Sequence, residues 1–263
     1  MPTLKLVIEY NGKNFHGWQR QPDQRTIQEE LWRALSIVTR QTISPLRASG
    51  RTDAGVHAKG QVVSFKLPLS TDLGKLSRGV SHLLRGEVTV CSAEEVPDDF
   101  HPGIDATHKQ YSYRVLNRDT PPVLNAHTTW HIPHHLDIER MREEARYLIG
   151  EHDFSSFRDS GCTATTAVKT IYDITIEKQG PELIFYVVGS GFLKQMVRNI
   201  VGTLTDIGRG RIRDKTILDI LQKRDRRVAG VTAPAHGLTL DWVSYESAPE
   251  ESSISPQALG CSK

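Results

Sequence analysis

The densest run of chemically suggestive residues is Arg47-Ala-Ser-Gly-Arg-Thr-Asp-Ala-Gly-Val-His-Ala58. It carries no apolar periodicity, yet it leads into a good core strand. Gly50 and Gly55 bracket Asp53 and permit a tight or positive-φ backbone. The small residues Ala54 and Ala58 let another chain or a ligand approach closely. Arg51, two residues before Asp53, can hold a loop carboxylate ionised at neutral pH. An ionised, oriented aspartate serves as nucleophile or general base. The plainer alternative is an Asx-turn or a loop ion pair, the commoner fate of an isolated aspartate.

Three other groupings compete. Asp53-Ala-Gly55 is matched by Asp206-Ile-Gly208, as in the paired Asp-x-Gly loops of aspartic proteases. Those enzymes need both carboxylates in matching loops sharing a proton, and Asp206 falls at the end of a long helical pattern. His131, His134 and His135 flank Pro133 with no nearby carboxylate or cysteine to complete a metal-ligand set. Lys194 and Arg198 stand four apart and flank the apolar face of the same helical pattern, where a helix bordering a cleft would place a cation, though two solvated cations read equally well. There is no Walker A loop and no G-x-G-x-x-G, so a nucleotide cofactor has no support.

These residues must be positioned by regular elements. Leu4 to Tyr10 alternates as a strand and ends at Asn11-Gly12. Thr26 with Glu29 reads as a capping box opening a helix with Ile27, Leu31, Ala34, Leu35 and Val38 on its apolar face. Gln61 to Leu67 reads as a strand. A helix from Thr71 or Asp72 turns Leu73, Leu76, Val80, Leu83 and Leu84 inward, and Glu87 to Cys91 reads as a short strand. The order then restarts. A strand runs from Gln110 to Leu116. Asp137 caps a helix with Ile138, Met141, Ala145, Leu148 and Ile149 inward. A hairpin joins Ile171–Glu177 to Leu183–Val188 across Gln179-Gly180-Pro181. The longest helical spacing runs from Leu193 to Ile207, a shorter helix from Asp214 to Lys223, and a last strand holds Leu238, Leu240 and Trp242. The expected class is α+β: two similar halves with mixed or antiparallel sheets and flanking helices, joined around a central basic cleft. The halves span residues 1–105 and 106–246, and the polar segment 247–263 is expected to be a disordered tail.

Of 263 residues, 38% are hydrophobic and 24% charged, which fits a globular protein and excludes disorder over most of the length. No apolar run approaches the roughly 20 residues needed to cross a bilayer. Cys91, Cys162 and Cys261 are scattered, so a disulfide framework is not expected and a cytoplasmic location is. The net charge of +2 hides a pattern. Residues 191–228 carry ten Lys/Arg against four Asp/Glu, and residues 13–59 carry eight against four. Residues 86–105 hold six acidic residues and no Lys or Arg. On charge alone, such polarity fits equally a surface for a polyanion, nucleic acid first among them, and a set of solvated helix faces.

Five segments together carry a family resemblance: Tyr10-Asn-Gly12, Phe15-His-Gly-Trp-Gln-Arg-Gln21, Gly50-Arg-Thr-Asp-Ala-Gly-Val-His57, Lys109-Gln-Tyr-Ser-Tyr113 and Phe192-Leu-Lys-Gln-Met-Val-Arg-Asn-Ile-Val-Gly202. In this order they resemble the TruA family of tRNA pseudouridine synthases over about residues 3–246. The resemblance implies the pseudouridine synthase fold and isomerisation of uridine at positions 38, 39 and 40 in the anticodon arm of tRNA. It also implies a homodimer and no metal or organic cofactor. By motif position it implies Asp53 as the catalytic residue. Tyr111 is implied as the ring that stacks on the target base, Arg51 as the arginine that helps displace that nucleotide, and Arg198 as the cation paired with the aspartate. Two other classes are weighed beside it. One is a non-catalytic RNA-binding protein, which gives Asp53 no purpose. The other is a hydrolase that cleaves the N-glycosidic bond and releases the base.

Overall fold

The computed structural model describes residues 1–67 and 72–247. The expected tail lies outside the described residues apart from Ser247, as does Thr71. The chain divides into two compact units, residues 1–107 with 239–246, and residues 108–238.

The first unit is built on strands β1 (Thr3–Tyr10), β2 (Arg47–Ala48), β3 (His57–Lys66), β4 (Val88–Val96) and β10 (Leu238–Ser244), with helices α1 (Ile27–Thr39) and α2 (Leu73–Leu83). Its main strands run in the order β4-β1-β3-β10. β1 is antiparallel to both neighbours, while β10 pairs parallel to β3, so the sheet is mixed. Alternation in β1 does what the sequence implies: Leu4, Leu6, Ile8 and Tyr10 are all buried. β3 begins four residues before the expected Gln61. The reason is long-range, since His57 and Ala58 pair with Thr239 and Leu240. β4 likewise runs past Cys91 to Val96, because its acidic second half stays paired with β1 and Lys5 reaches Glu94 at 2.8 Å. In α1, Thr26 accepts the Glu29 N–H, but the Glu29 carboxylate turns to Arg20 and Arg33 instead of returning to the cap. In α2, capped by Asp72, Leu76 and Val80 are buried and Leu83 faces solvent.

The second unit holds β5 (His108–Asn117), β6 (Trp130–Ile132), β7 (Gly150–Asp153), β8 (Val168–Gln179) and β9 (Glu182–Gly189), with α3 (Ile138–Ala145), α4 (Met196–Gly208) and α5 (Ile217–Lys223). Its strands run β5-β9-β8-β7, all antiparallel, and β6 adds parallel to β5. The expected hairpin is β8–β9, turned at Gly180, whose φ is +60°. Every residue of α4 except Arg198 is buried. Both units pack helices with sheets whose strand pairs are mostly antiparallel, which is the α+β class.

Candidate active site

Asp53 lies in the loop between β2 and β3, and segment 12–18 grips that loop by its backbone. Trp18 N–H donates to Thr52 O at 3.0 Å and Gly55 N–H to Phe15 O at 3.3 Å, while within the loop Val56 N–H donates to Asp53 O at 3.1 Å. Gly17 makes the grip possible. Its φ is +85°, and a Cβ there would stand 2.7 Å from Thr52 O. That position excludes any side chain twice over, by conformation and by space. Below the loop, the Tyr10 hydroxyl meets Thr52 Oγ1 at 2.8 Å. Burial pushes Tyr10 up to about 12, so it keeps its proton and this hydrogen bond across the working range. Fully buried Gln61 accepts from Ser49 Oγ at 2.6 Å and donates to Gly50 O at 2.9 Å. His57 Nδ1 accepts the Gly12 N–H at 3.1 Å. Gly55 has the expected positive φ of +80°. Arg51, in the same loop, is exposed.

The grip has an outer support. The Arg25 guanidinium sits 4.5 Å from the centre of the Phe15 ring and holds Glu87 with two hydrogen bonds of 2.7 and 2.6 Å. That bidentate contact keeps the Glu87 carboxyl below the usual range.

Tyr111 and Arg198 belong to the second unit. Tyr111 lies on β5 opposite Val187 of β9 and is 8% exposed. Its ring meets the Phe192 ring edge-on, at 5.2 Å and 88°. Arg198 is in the first turn of α4. Its Nε donates to Ala233 O at 2.8 Å, while Ala233 N–H donates to Arg198 O at 3.1 Å. Tyr113, fully buried, donates to Pro234 O at 2.8 Å. Burial drives its pKa up, opposed by the nearby charge of Arg198. Lys194 does not share the helix with Arg198. Gln195 adopts a left-handed φ of 60° and breaks the chain direction before α4 begins. Lys194 instead pairs with Asp159 at 2.9 Å and donates to Ser160 O at 2.9 Å.

The segment that holds Arg198 is itself tied to α4 by polar groups, of which the sequence singled out only Asp206, and in another role. Arg226 donates to Asn199 Oδ1 at 3.0 Å, to Thr232 Oγ1 at 2.9 Å and to Gly230 O at 2.9 Å. Asn199 also donates to Phe157 O at 2.8 Å. Asp206 Oδ2 accepts the Val231 N–H at 3.1 Å, and Oδ1 lies 3.4 Å from Arg211. The second Asp-x-Gly is thus part of this clamp. The available signal was the set Asn199, Thr203 and Asp206 among the polar residues of a largely apolar helix. Its partners lie 25 to 33 residues away.

A family model described as tRNA pseudouridine synthase matches residues 6–103 and 145–246. The tRNA pseudouridine synthase A of Anoxybacillus flavithermus is 44% identical over 246 residues, 94% of this chain and 100% of that protein. That of Acetivibrio thermocellus is 42% identical over 245 residues, 93% of this chain and 100% of that protein. That of Citrifermentans bemidjiense is 43% identical over 247 residues, 94% of this chain and 98% of that protein.

Proposed function

The chain belongs to the tRNA pseudouridine synthase family, within its TruA branch, and from that premise we propose that it acts on uridines 38, 39 and 40 of the anticodon arm with Asp53 as its catalytic carboxylate. It is an isomerase that converts uridine in tRNA to pseudouridine. The observation that carries the finer reading is the Asp53 loop. Its backbone is held on either side of Asp53 in sequence, at Thr52 and Gly55, by Trp18 and Phe15, and closed within the loop by Val56 N–H on Asp53 O, as expected of a carboxylate that must meet a substrate at one angle.

The reaction breaks N1–C1′, turns the uracil over and joins C5 to C1′, with the C5 proton lost. Atoms are rearranged with no net redox change, so the chemistry asks only for positioning and proton handling. A carboxylate at Asp53 has three routes open: addition to the sugar, addition to the base, or removal of a sugar proton. The target base leaves the stack at a cost of a few kcal/mol. Stacking of its π-face on the Tyr111 ring offsets that by roughly 1–3 kcal/mol. Arg51, exposed in the Asp53 loop, takes part in displacing the nucleotide, and Arg198 is the cationic partner of the aspartate. Basic side chains elsewhere hold the phosphates.

The protein works as a homodimer in the cytoplasm. A tRNA is larger than one 263-residue subunit, so a second copy supplies further binding surface. Among the described residues no helix is long and apolar enough to cross a membrane. Incubation with unmodified tRNA, followed by position-resolved nucleoside analysis, tests the proposal. Pseudouridine at 38–40 supports it. Free uracil would indicate a hydrolase, unchanged uridine a binding protein, and pseudouridine elsewhere in the tRNA a different target.

A further inference from the structure

Gly189 ends β9 and stands opposite Lys109 of β5 and Ile171 of β8. Ser190 N–H then bonds Thr170 O at 2.9 Å, and the chain turns back over the sheet. This brings the Phe192 ring down onto Gly189. A Cβ at 189 would lie 3.1 and 3.3 Å from two carbons of that ring, and 3.0 Å from Thr170 O. Residues directly opposite on antiparallel strands share a face, as do residues two apart on one strand. Lys109, Tyr111 and the bare face of Gly189 therefore look the same way, and the Phe192 ring occupies the space that a side chain at 189 would fill. There it meets Tyr111 at 5.2 Å and 88°, the edge-to-face geometry that aromatic pairs prefer. Three residues after Phe192 the chain enters α4 through Gln195 and presents Arg198.

We propose that Phe192 is a positioning residue for the isomerisation: seated on Gly189, its ring fixes the plane of Tyr111 so that Tyr111 meets the uracil at the productive angle. The inference rests on the reading of Tyr111 as the ring that receives the base. A tyrosine ring turns broadly about its last torsion unless a neighbour blocks it. A wall set edge-on removes that freedom before substrate arrives. Phe192 acts through Tyr111, so its loss is felt in the rate of the bound complex and not in holding the tRNA.

The test is single-turnover pseudouridine formation, with enzyme in excess over unmodified tRNA, alongside tRNA affinity and thermal melting. Phe192→Leu is expected to slow the bound-state rate about tenfold or more while affinity stays within about threefold. Phe192→Tyr adds its hydroxyl at Cζ, the ring carbon nearest Gly189, so it shifts the ring in its seat and is expected to slow the rate. Gly189→Ala keeps the ring but crowds its seat, and is expected to slow the rate as well. In a Tyr111→Leu background, Phe192→Leu is expected to change nothing further, because no ring remains to be held. A parental rate for Phe192→Leu beside a slow Tyr111→Leu overturns the positioning role and leaves the Tyr111 reading standing. A parental rate for Tyr111→Leu overturns that reading itself. Equal slowing by Phe192→Leu with and without Tyr111 overturns the proposed route. Should Phe192→Leu not fold, Gly189→Ala decides alone, and a folded variant at the parental rate overturns the inference.

Discussion

Asp206 uses both carboxylate oxygens within the fold, one on the Val231 N–H and one on Arg211, at 5% exposure. Asp53 lies in a loop fixed through backbone hydrogen bonds, and it is the residue proposed to carry the chemistry. The same substitution should therefore read differently at the two positions. Asp53→Asn is nearly isosteric but is a poor nucleophile or base. It should fold, bind tRNA within about tenfold of the parent (about 1.4 kcal/mol) and release no tritium from C5-labelled uridine. Asp206→Asn keeps an acceptor for Val231 and should stay active, with stability lowered by roughly 1–2 kcal/mol as the charge-assisted contacts weaken. Filter binding beside the tritium assay separates the cases. Appreciable release by Asp53→Asn would sink the mechanism, and loss of activity in both variants would restore a two-aspartate site. Tyr111→Phe keeps the ring and the edge contact with Phe192. If stacking is its whole role, turnover survives within a few-fold. Collapse of turnover at unchanged affinity would assign the hydroxyl to removal of the C5 proton. Normal turnover by Tyr111→Ala would take the residue out of the site.

At the scale of elements, Lys109 reports how the second unit treats charge on β5. Burial, and then the charge of Lys169, push it down to about 8. Between there and the ordinary 10.5, the unfolded chain binds the proton that the folded one has shed. Stability contributed at this position therefore rises with pH through that window. Urea unfolding at pH 7 and pH 10 should show the parent gaining on Lys109→Met as pH rises. A constant or shrinking difference would mean that the environment does not disfavour the cation. The elements themselves were readable wherever alternation or helical spacing was local, as in β1, α1 and the β8–β9 hairpin. What escaped was set by partners far along the chain. The start of β3 at His57 depends on β10, and the acidic half of β4 depends on β1. The polar face of α4 is buried only because residues 226–233 cover it. Strands β2, β6 and β7 are two to four residues long, too short for a period to register. The Asp53 loop was legible from its glycines and lack of apolar rhythm. Its support by Phe15, Gly17 and Trp18 was not, because backbone hydrogen bonds leave little trace in side-chain pattern.

For the whole molecule, the uneven charge is a statement about RNA. Arg209, Arg211 and Arg213 follow directly on α4, and the last two are exposed. Replacing all three by alanine should weaken tRNA binding and lower the slope of log affinity against log salt by about 0.7–0.9 per lost phosphate contact. An unchanged slope would mark them as a solvated face. Light scattering at micromolar concentration should give twice the 29.5 kDa subunit mass, and a stable value near 29.5 kDa would contradict the dimer. β10 pairs with β3 at His57 and Ala58, beside the Asp53 loop, and Lys59 reaches Asp241 at 3.0 Å across 182 residues of chain. Residues 1–107 leave the ribosome well before 239–246. At roughly 5–20 residues per second the wait is on the order of ten seconds. Through that interval the edge of β3 nearest the loop has no strand from its own chain to close it. The newborn protein must guard an open sheet edge until its last strand arrives, and the unit bearing Asp53 is the last of the two to be completed.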